Sequence, residues 1–354
     1  MKNAYIHIPF CTKKCRYCSF VSYPTLEKKE DYLSALKREI QSRYKGEILE
    51  TLYIGGGTPS VLSPCEINEI ISLFNTDKNT EITMEFNPEN KISADYNINR
   101  LSIGCQTFNN DILKLIGRRH DCYDVINTVN NAKNSGYKNI SLDFIYGLPK
   151  QTVKMFEDDL RKAVTLGVQH ISLYGLKIEE GCYFYGHKPE NLPDNDIQAD
   201  MYLKAIEVLT DLDFEHYEIS NFAKKGYESK HNLNYWNNST YYGFGVAAHG
   251  YENNVRYSNI CDLDEYIENP IKFDEYNELT KEEQLEEEIF LGFRKMSGID
   301  VQKINDSFNI DFESKYEDVL KKYKKYIIST DKGYALNVDG ILISNTILAE
   351  FLED

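Results

Sequence analysis

Cys11, Cys15 and Cys18 lie in the run CTKKCRYC, a CxxxCxxC pattern directly after the short apolar stretch AYIHIPF. Four thiolates saturate a [4Fe–4S] cluster. Three clustered cysteines therefore leave one iron with an open coordination position, the arrangement a reactive metal site needs. A zinc ribbon wants a second Cys/His pair at matched spacing, which the chain does not offer, and a disulfide framework needs an oxidising compartment. Cys65, Cys105, Cys122, Cys182 and Cys261 are scattered without pair spacing and read as small apolar or incidental residues.

The cysteines must converge on one cofactor, and the residues before them say how. Positions 5–9 alternate like a strand, which places the cysteines in the loop that follows it. The same rhythm continues through the first two-thirds of the chain. Strands are predicted over 4–9, 50–55, 81–87, 98–106, 140–146 and 170–178, and helices near 27–44, 64–74, 111–116, 122–135, 152–166 and 194–209. Six βα units fit a partial barrel; an open doubly wound sheet is the structural competitor. The unusual residues each follow a strand: the cysteine loop, Gly55-Gly56-Gly57-Thr58-Pro59, Glu85-Phe86-Asn87-Pro88, Gln106, Asp143, and Lys177 to Glu179. In a parallel barrel those strand ends share one face, the face on which barrel enzymes build their sites. A run of three glycines also lets backbone approach a ligand closely.

At 354 residues there is room for one large domain and a smaller second one. The formal charge of −16 disfavours a general nucleic-acid binder, because phosphate contacts need a basic surface. The N-terminus lacks the layout of a signal peptide, and no apolar run approaches the ~18 residues of a membrane span. A cytoplasmic protein is expected. The 27 tyrosines and 17 phenylalanines can supply flat surfaces for a large planar ligand, although most belong in a core.

The opening YIHIPFC, GGGTPS, MEFNPE, RLSIGCQTFN followed by GRRH, and LDFIYGLPKQT form a co-linear series over nearly the whole chain. It resembles the radical S-adenosylmethionine (SAM) family, specifically the oxygen-independent coproporphyrinogen III oxidase group. Within that group HNLNYW, GFGVAAHG, LGFRKMSGID and ILISNTILAEFL resemble the heme-chaperone branch, the HemW-type proteins. The resemblance implies an α/β fold: a partial (β/α)6 radical SAM barrel with a small α+β winged-helix-like C-terminal domain. The expected division is a barrel over 1–212, an extension carrying HNLNYW over 213–277, and the C-terminal domain over 278–354.

The resemblance further implies that SAM chelates the open iron and that an electron from the cluster yields methionine and a 5′-deoxyadenosyl radical. By similarity Tyr5 lies beside SAM, Gly56, Gly57 and Thr58 meet its polar end, and Glu85 holds ribose hydroxyls. Tyr17 shields the cofactor. Gln106, Arg118 and Asp143 match positions lining the barrel mouth near SAM or, in the oxidase branch, a second SAM. An electron donor such as flavodoxin or ferredoxin is implied as a partner.

Two departures separate the chain from the oxidase branch. That branch carries a fourth cysteine two places after the third, where this chain has Phe20, and a substantial N-terminal extension, whereas Cys11 stands close to the start here. Both move the reading from porphyrinogen decarboxylation toward a carrier that binds heme and transfers it to an acceptor protein. A further departure is that 91–99 is too short for the helix the family has between its third and fourth strands. An imidazole is the usual heme ligand; His231, opening HNLNYW beside Tyr235 and Trp236, is the first choice, and His249 in AAHG the second. After Gly250 the βα rhythm stops. A helix with an acidic face is expected over 278–295, then short strands around 334–337 and a helix over 344–351. Lys321 to Lys325 is the only strong basic cluster there, so the C-terminal unit reads as a lid or docking module.

Overall fold

Polar and apolar residues alternate along each of the first six strands, yet both sets are largely buried. In a computed structural model describing residues 1–352, β1 (Asn3–Ile8) sends Ala4, Ile6 and Ile8 into the apolar core, while Asn3 and His7 are also out of water. The same holds for β2 (Thr51–Gly56), β3 (Glu81–Phe86), β4 (Arg100–Gln106), β5 (Ile140–Tyr146) and β6 (His170–Gly175). The apolar set packs outward against helices; the polar set faces a shared interior. In register, Tyr5, Tyr53, Thr83 and Arg100 form one rung, and Glu85, Ser102, Ser141 and His170 another.

The six strands are parallel and lie in chain order. Sequential order has no reversal point, which is how a barrel arc differs from a doubly wound sheet. Three short strands extend the edges. β7 (Glu215–Glu218) and β8 (Asn221–Ala223) run antiparallel beyond β6, and β9 (Tyr242–Phe244) joins β1 in parallel. Strands of three or four residues carry too little periodicity to be read from sequence.

Most connecting helices start at a capping side chain, those over Lys29–Arg43 and Tyr183–Gly186 excepted. α1 (Lys29–Arg43) precedes β2, and α2 (Pro64–Ile71) opens on a capping box between Ser63 and Glu66. α3 (Asn110–Leu115) and α4 (Cys122–Asn134) follow β4, the latter capped by Asp121 and Asp124. α5 (Val153–Thr165) is capped by Thr152, a single turn α6 (Tyr183–Gly186) follows β6, and α7 (Asn195–Asp211) is capped by Asp194. Between β3 and β4 there is no helix. Tyr96 closes the wall instead, its hydroxyl donating to the Leu62 carbonyl at 3.0 Å, while Asn99 bridges Thr80 and Ile82.

Beyond the sheet, α8 (Lys230–Trp236) leads into the antiparallel β10 (His249–Glu252), β11 (Val255–Asn259) and β12 (Phe273–Glu278), with α9 (Leu263–Glu268) between the last two. α10 (Lys281–Gly292) begins a C-terminal unit with its own core, including Phe293, Ile304, Phe312, Tyr316 and Phe351. Its three strands, Ile299–Asp300, Ile327–Ser329 and Gly333–Leu336, are antiparallel, and a helix spans Ser344–Ala349. Among the described residues no helix is long and apolar enough to cross a membrane.

Candidate cofactor site

The cysteine loop leaves β1 and is pinned at both ends. The Cys11 amide donates to the Tyr23 carbonyl at 3.0 Å, and the Tyr23 amide returns to Pro9 at 2.7 Å. In the middle, the Arg16 amide donates to Ile116 and the Arg16 carbonyl accepts from Phe184. Each sulfur has a donor. Thr58 Oγ1 donates to Cys11 Sγ at 3.3 Å, Arg118 Nη1 lies 3.7 Å from Cys15 Sγ, and the Phe20 amide reaches Cys18. The Tyr17 hydroxyl, pushed up by burial, also reaches Cys15. Burial raises the Cys11 thiol and takes that of Cys18 up to about 11. A metal reverses this by supplying the positive charge that a buried thiolate needs, and donors to sulfur stabilise the thiolate form.

All three glycines at the end of β2 are required by sterics. A Cβ on Gly55 would lie 2.9 Å from Glu85 Oε1, and one on Gly57 would lie 2.9 Å from the Phe10 carbonyl and 3.0 Å from Cys11 Sγ. Gly56 has φ +113°, and its Cβ would meet the His7 ring at 2.8 Å. The Gly56 amide donates to Glu85 Oε2 at 3.1 Å and the Tyr53 hydroxyl to Oε1 at 3.0 Å. Burial, then the nearby Asp143 carboxylate, pushes Glu85 up to about 7.

Tyr5 Oη lies 3.0 Å from His7 Nδ1, and His7 Nε2 lies 2.8 Å from the Val21 carbonyl. A carbonyl only accepts, so Nε2 carries the proton and Nδ1 accepts from Tyr5. Burial holds His7 down to about 4. Asp143 accepts from Ser102 at 2.8 Å and from Ser141 at 3.2 Å, hydroxyls that oppose the upward push of burial. At the end of β4 a bulge puts Gln106 at φ +66°. Arg118 Nη2 donates to the Gly104 carbonyl at 2.8 Å and to Asn87 Oδ1 at 3.1 Å.

Tyr5, Tyr17, Gly56, Gly57, Thr58, Glu85, Gln106, Arg118 and Asp143 thus gather at or just inside the strand ends with the three cysteines. The glycine cradle bares backbone without side chains beside a carboxylate, and the thiols carry hydrogen-bond donors; this set fits a thiolate-bound cluster beside a polar ligand. His7, Tyr53 and the serines at 102 and 141 were not singled out in the sequence. Their signal was there, since each strand residue among them occupies the polar parity of its strand.

The structure places His231 in the interior. Ser229 caps α8 and turns His231 inward, where it is 1% exposed. Its Nδ1 lies 2.8 Å from Thr51 Oγ1, its Nε2 lies 2.8 Å from the Tyr235 hydroxyl, and its ring stacks on Tyr53. Burial, with the Arg100 charge, holds it down to about 3. Both nitrogens are engaged in hydrogen bonds. His249 is exposed, on β10, close enough to His7 for its charge to lower the His7 imidazole further. Tyr235 and Trp236 do not stack on His231 as a porphyrin platform; they line a separate groove of about 630 Å³ with Tyr241, Arg256 and Phe290.

Residues 5–163 match the family profile of the radical SAM superfamily, and residues 279–340 that of the HemN C-terminal domain. The heme chaperone HemW of Lactococcus lactis is 38% identical, over 99% of this chain and 97% of that one. That of Bacillus subtilis is 37% identical over 99% of each. Among solved structures, the coproporphyrinogen III oxidase HemN from Escherichia coli superposes with a TM-score of 0.86 at 23% identity, over 99% of this chain and 89% of that one.

Proposed function

The chain belongs to the radical SAM superfamily and, within its HemN-related group, to the HemW heme-chaperone family, and from that premise we propose that it binds heme and passes it to an acceptor protein in the cytoplasm. The observation that carries this is similarity to heme chaperones along the full chain. The chain lacks a fourth cysteine at Phe20, and the exposed Phe20 side chain could not take a thiolate's place.

Cys11, Cys15 and Cys18 would hold a [4Fe–4S] cluster, and Gly56, Gly57 and Glu85 would hold SAM. When bound, this pair supplies one-electron chemistry at low potential. The chain's residues supply placement. Thr58 and Arg118 hold the sulfurs, the Gly56 amide and Tyr53 orient Glu85, and His7 braces Tyr5. Glu85, at about 7, can both accept and donate near neutral pH. For heme, the exposed imidazole of His249 is the ligand the geometry favours over His231.

Anaerobically reconstituted protein should bind about one heme per chain, and His249→Ala should shift or weaken its Soret band while His231→Ala leaves the band in place. Incubation with SAM and coproporphyrinogen III should yield no protoporphyrinogen. Multiple-turnover decarboxylation would replace the carrier reading with the oxidase one.

A further inference from the structure

The protein is acidic overall, with 40 Lys and Arg against 56 Asp and Glu, yet the loop that carries the cysteines is basic. Lys13, Lys14 and Arg16 stand between and beside the cluster cysteines, and Lys13 and Arg16 are exposed. Arg16 shares a groove with Lys150, Tyr183 and His187. Several cations on the outer helices are neutralised: Lys29 pairs with Glu66, Lys37 with Glu69, Lys154 with Asp158 and Lys204 with Glu207. Among the described residues Lys13, Lys14, Arg16 and Lys150 are in no ion pair. Three carboxylates border these cations, and among the described residues only the first, Glu89, is in an ion pair. Glu89 accepts from Thr12 and pairs with Arg119, and Glu179 accepts from Ser19; Glu190 alone lines the groove.

Arg16 is also held in place, its Nη1 donating to the Leu115 carbonyl at 3.1 Å and its guanidinium 5.5 Å from the Tyr183 ring. Beside these cations Phe20 is 69% exposed and Tyr183 51%, large apolar groups that water does not favour leaving open. Unpaired cations with two exposed aromatics, Phe20 and Tyr183, make a small, charge-specific docking surface.

We infer that this face docks an acidic, soluble one-electron carrier protein, bringing its redox group against the loop that holds Cys15 and Cys18. The inference rests on the cluster assignment proposed above and adds where the reductant binds. The chain's net negative charge repels an acidic carrier from the rest of the surface, so the field steers it to the cluster loop. The step is a single-electron transfer: the carrier's hydroquinone or reduced cluster is oxidised by one electron and the resident cluster is reduced by one.

The test uses the reconstituted holoprotein and reduced flavodoxin as the acidic donor, with the bleaching of cluster absorbance as readout in a stopped-flow instrument. Lys13→Glu/Lys150→Glu should lower the second-order rate about tenfold or more at roughly 20 mM ionic strength, and the difference should vanish near about 0.5 M as charges are screened. Reduction by a photoreduced small flavin should be unchanged. Equal rates for parent and variant at low salt overturn the inference, as does a parent rate insensitive to salt. Binding of oxidised flavodoxin, followed by calorimetry, needs no cluster. If the parent assembles no cluster the functional reading fails, while salt-dependent binding lost in the variant still upholds the docking face, and its persistence in the variant refutes it.

Discussion

Gly57→Ala tests whether the glycine run and the cysteine loop are one device. The added Cβ would sit 2.9 Å from the Phe10 carbonyl oxygen, 3.0 Å from Cys11 Sγ and 3.1 Å from the Pro9 carbonyl carbon. Ordinary contacts need roughly 3.5 Å, so about 0.5 Å of room must be found. Backbone at Pro9 and Phe10 cannot give it easily. Phe10 is fully buried, its ring packs edge-on against Tyr32 at 5.3 Å, and Pro9 accepts from Tyr23. The Cys11 side chain is the mobile party, and moving it breaks the Thr58 bond. Overpacking of this kind costs about 1–3 kcal/mol, or a melting temperature lowered by roughly 2–4 °C per kcal/mol. The assay is thermal unfolding of the metal-free protein together with iron content after anaerobic reconstitution, where Gly57→Ala should fall well short of the parent's iron. Gly186→Ala, whose Cβ would meet nothing within 4 Å, is the control. A Gly57→Ala protein with full iron and the parent's melting temperature would refute the steric reasoning.

Alanine at Cys11, Cys15 or Cys18 should abolish the cluster's absorption; single variants that keep about four irons per chain would remove these residues from the ligand set. Gly56→Val combines a side chain against His7 with φ +113°, and should eliminate SAM binding in equilibrium dialysis while Glu85→Ala weakens it less. His231 titrates near 6.5 in the unfolded chain and about 3 in the folded one, so between those values the unfolded state binds the extra proton. Its contribution is full above about pH 6.5 and is lost as pH falls toward 3. Denaturant titrations from pH 6.5 to 4 should show a slope for the parent that exceeds that of His231→Gln by about 1.4 kcal/mol per pH unit. Equal slopes would mean that His231 is not held neutral by the fold.

The first six strands and the helices between them were legible because each spans enough residues to show a period and most helices start on a cap such as Ser63, Asp121 or Asp194. The strand ends carried the site, so Glu85, Gln106 and Asp143 could be expected near the cysteines from topology alone, whereas Arg118, which follows α3, was expected only from the family resemblance. β7, β8 and β9 were not legible, since three or four residues fix no period. The setting of His231 was not legible for a related reason. A histidine beside two aromatics looks the same whether it faces a ligand or the interior, and what decides is Thr51, 180 residues away in sequence. The absence of a helix between β3 and β4 was visible as a simple shortage of chain.

Alternation along β1 to β6 separates two kinds of inheritance. Residues such as Ile6, Ile54, Met84 and Leu142 hold the wall together, and those one place away, such as Tyr5, Tyr53, Glu85 and Asp143, meet the interior. A change at the first set is felt as lost packing, of the order of 0.5–1.5 kcal/mol even for Ile→Val. A change at the second set alters what the interior can hold and leaves the wall standing. Diversification restricted to the inward parity would therefore explore new ligands on an unchanged scaffold, so that a single barrel could move between carrier and catalyst by edits that its architecture does not register.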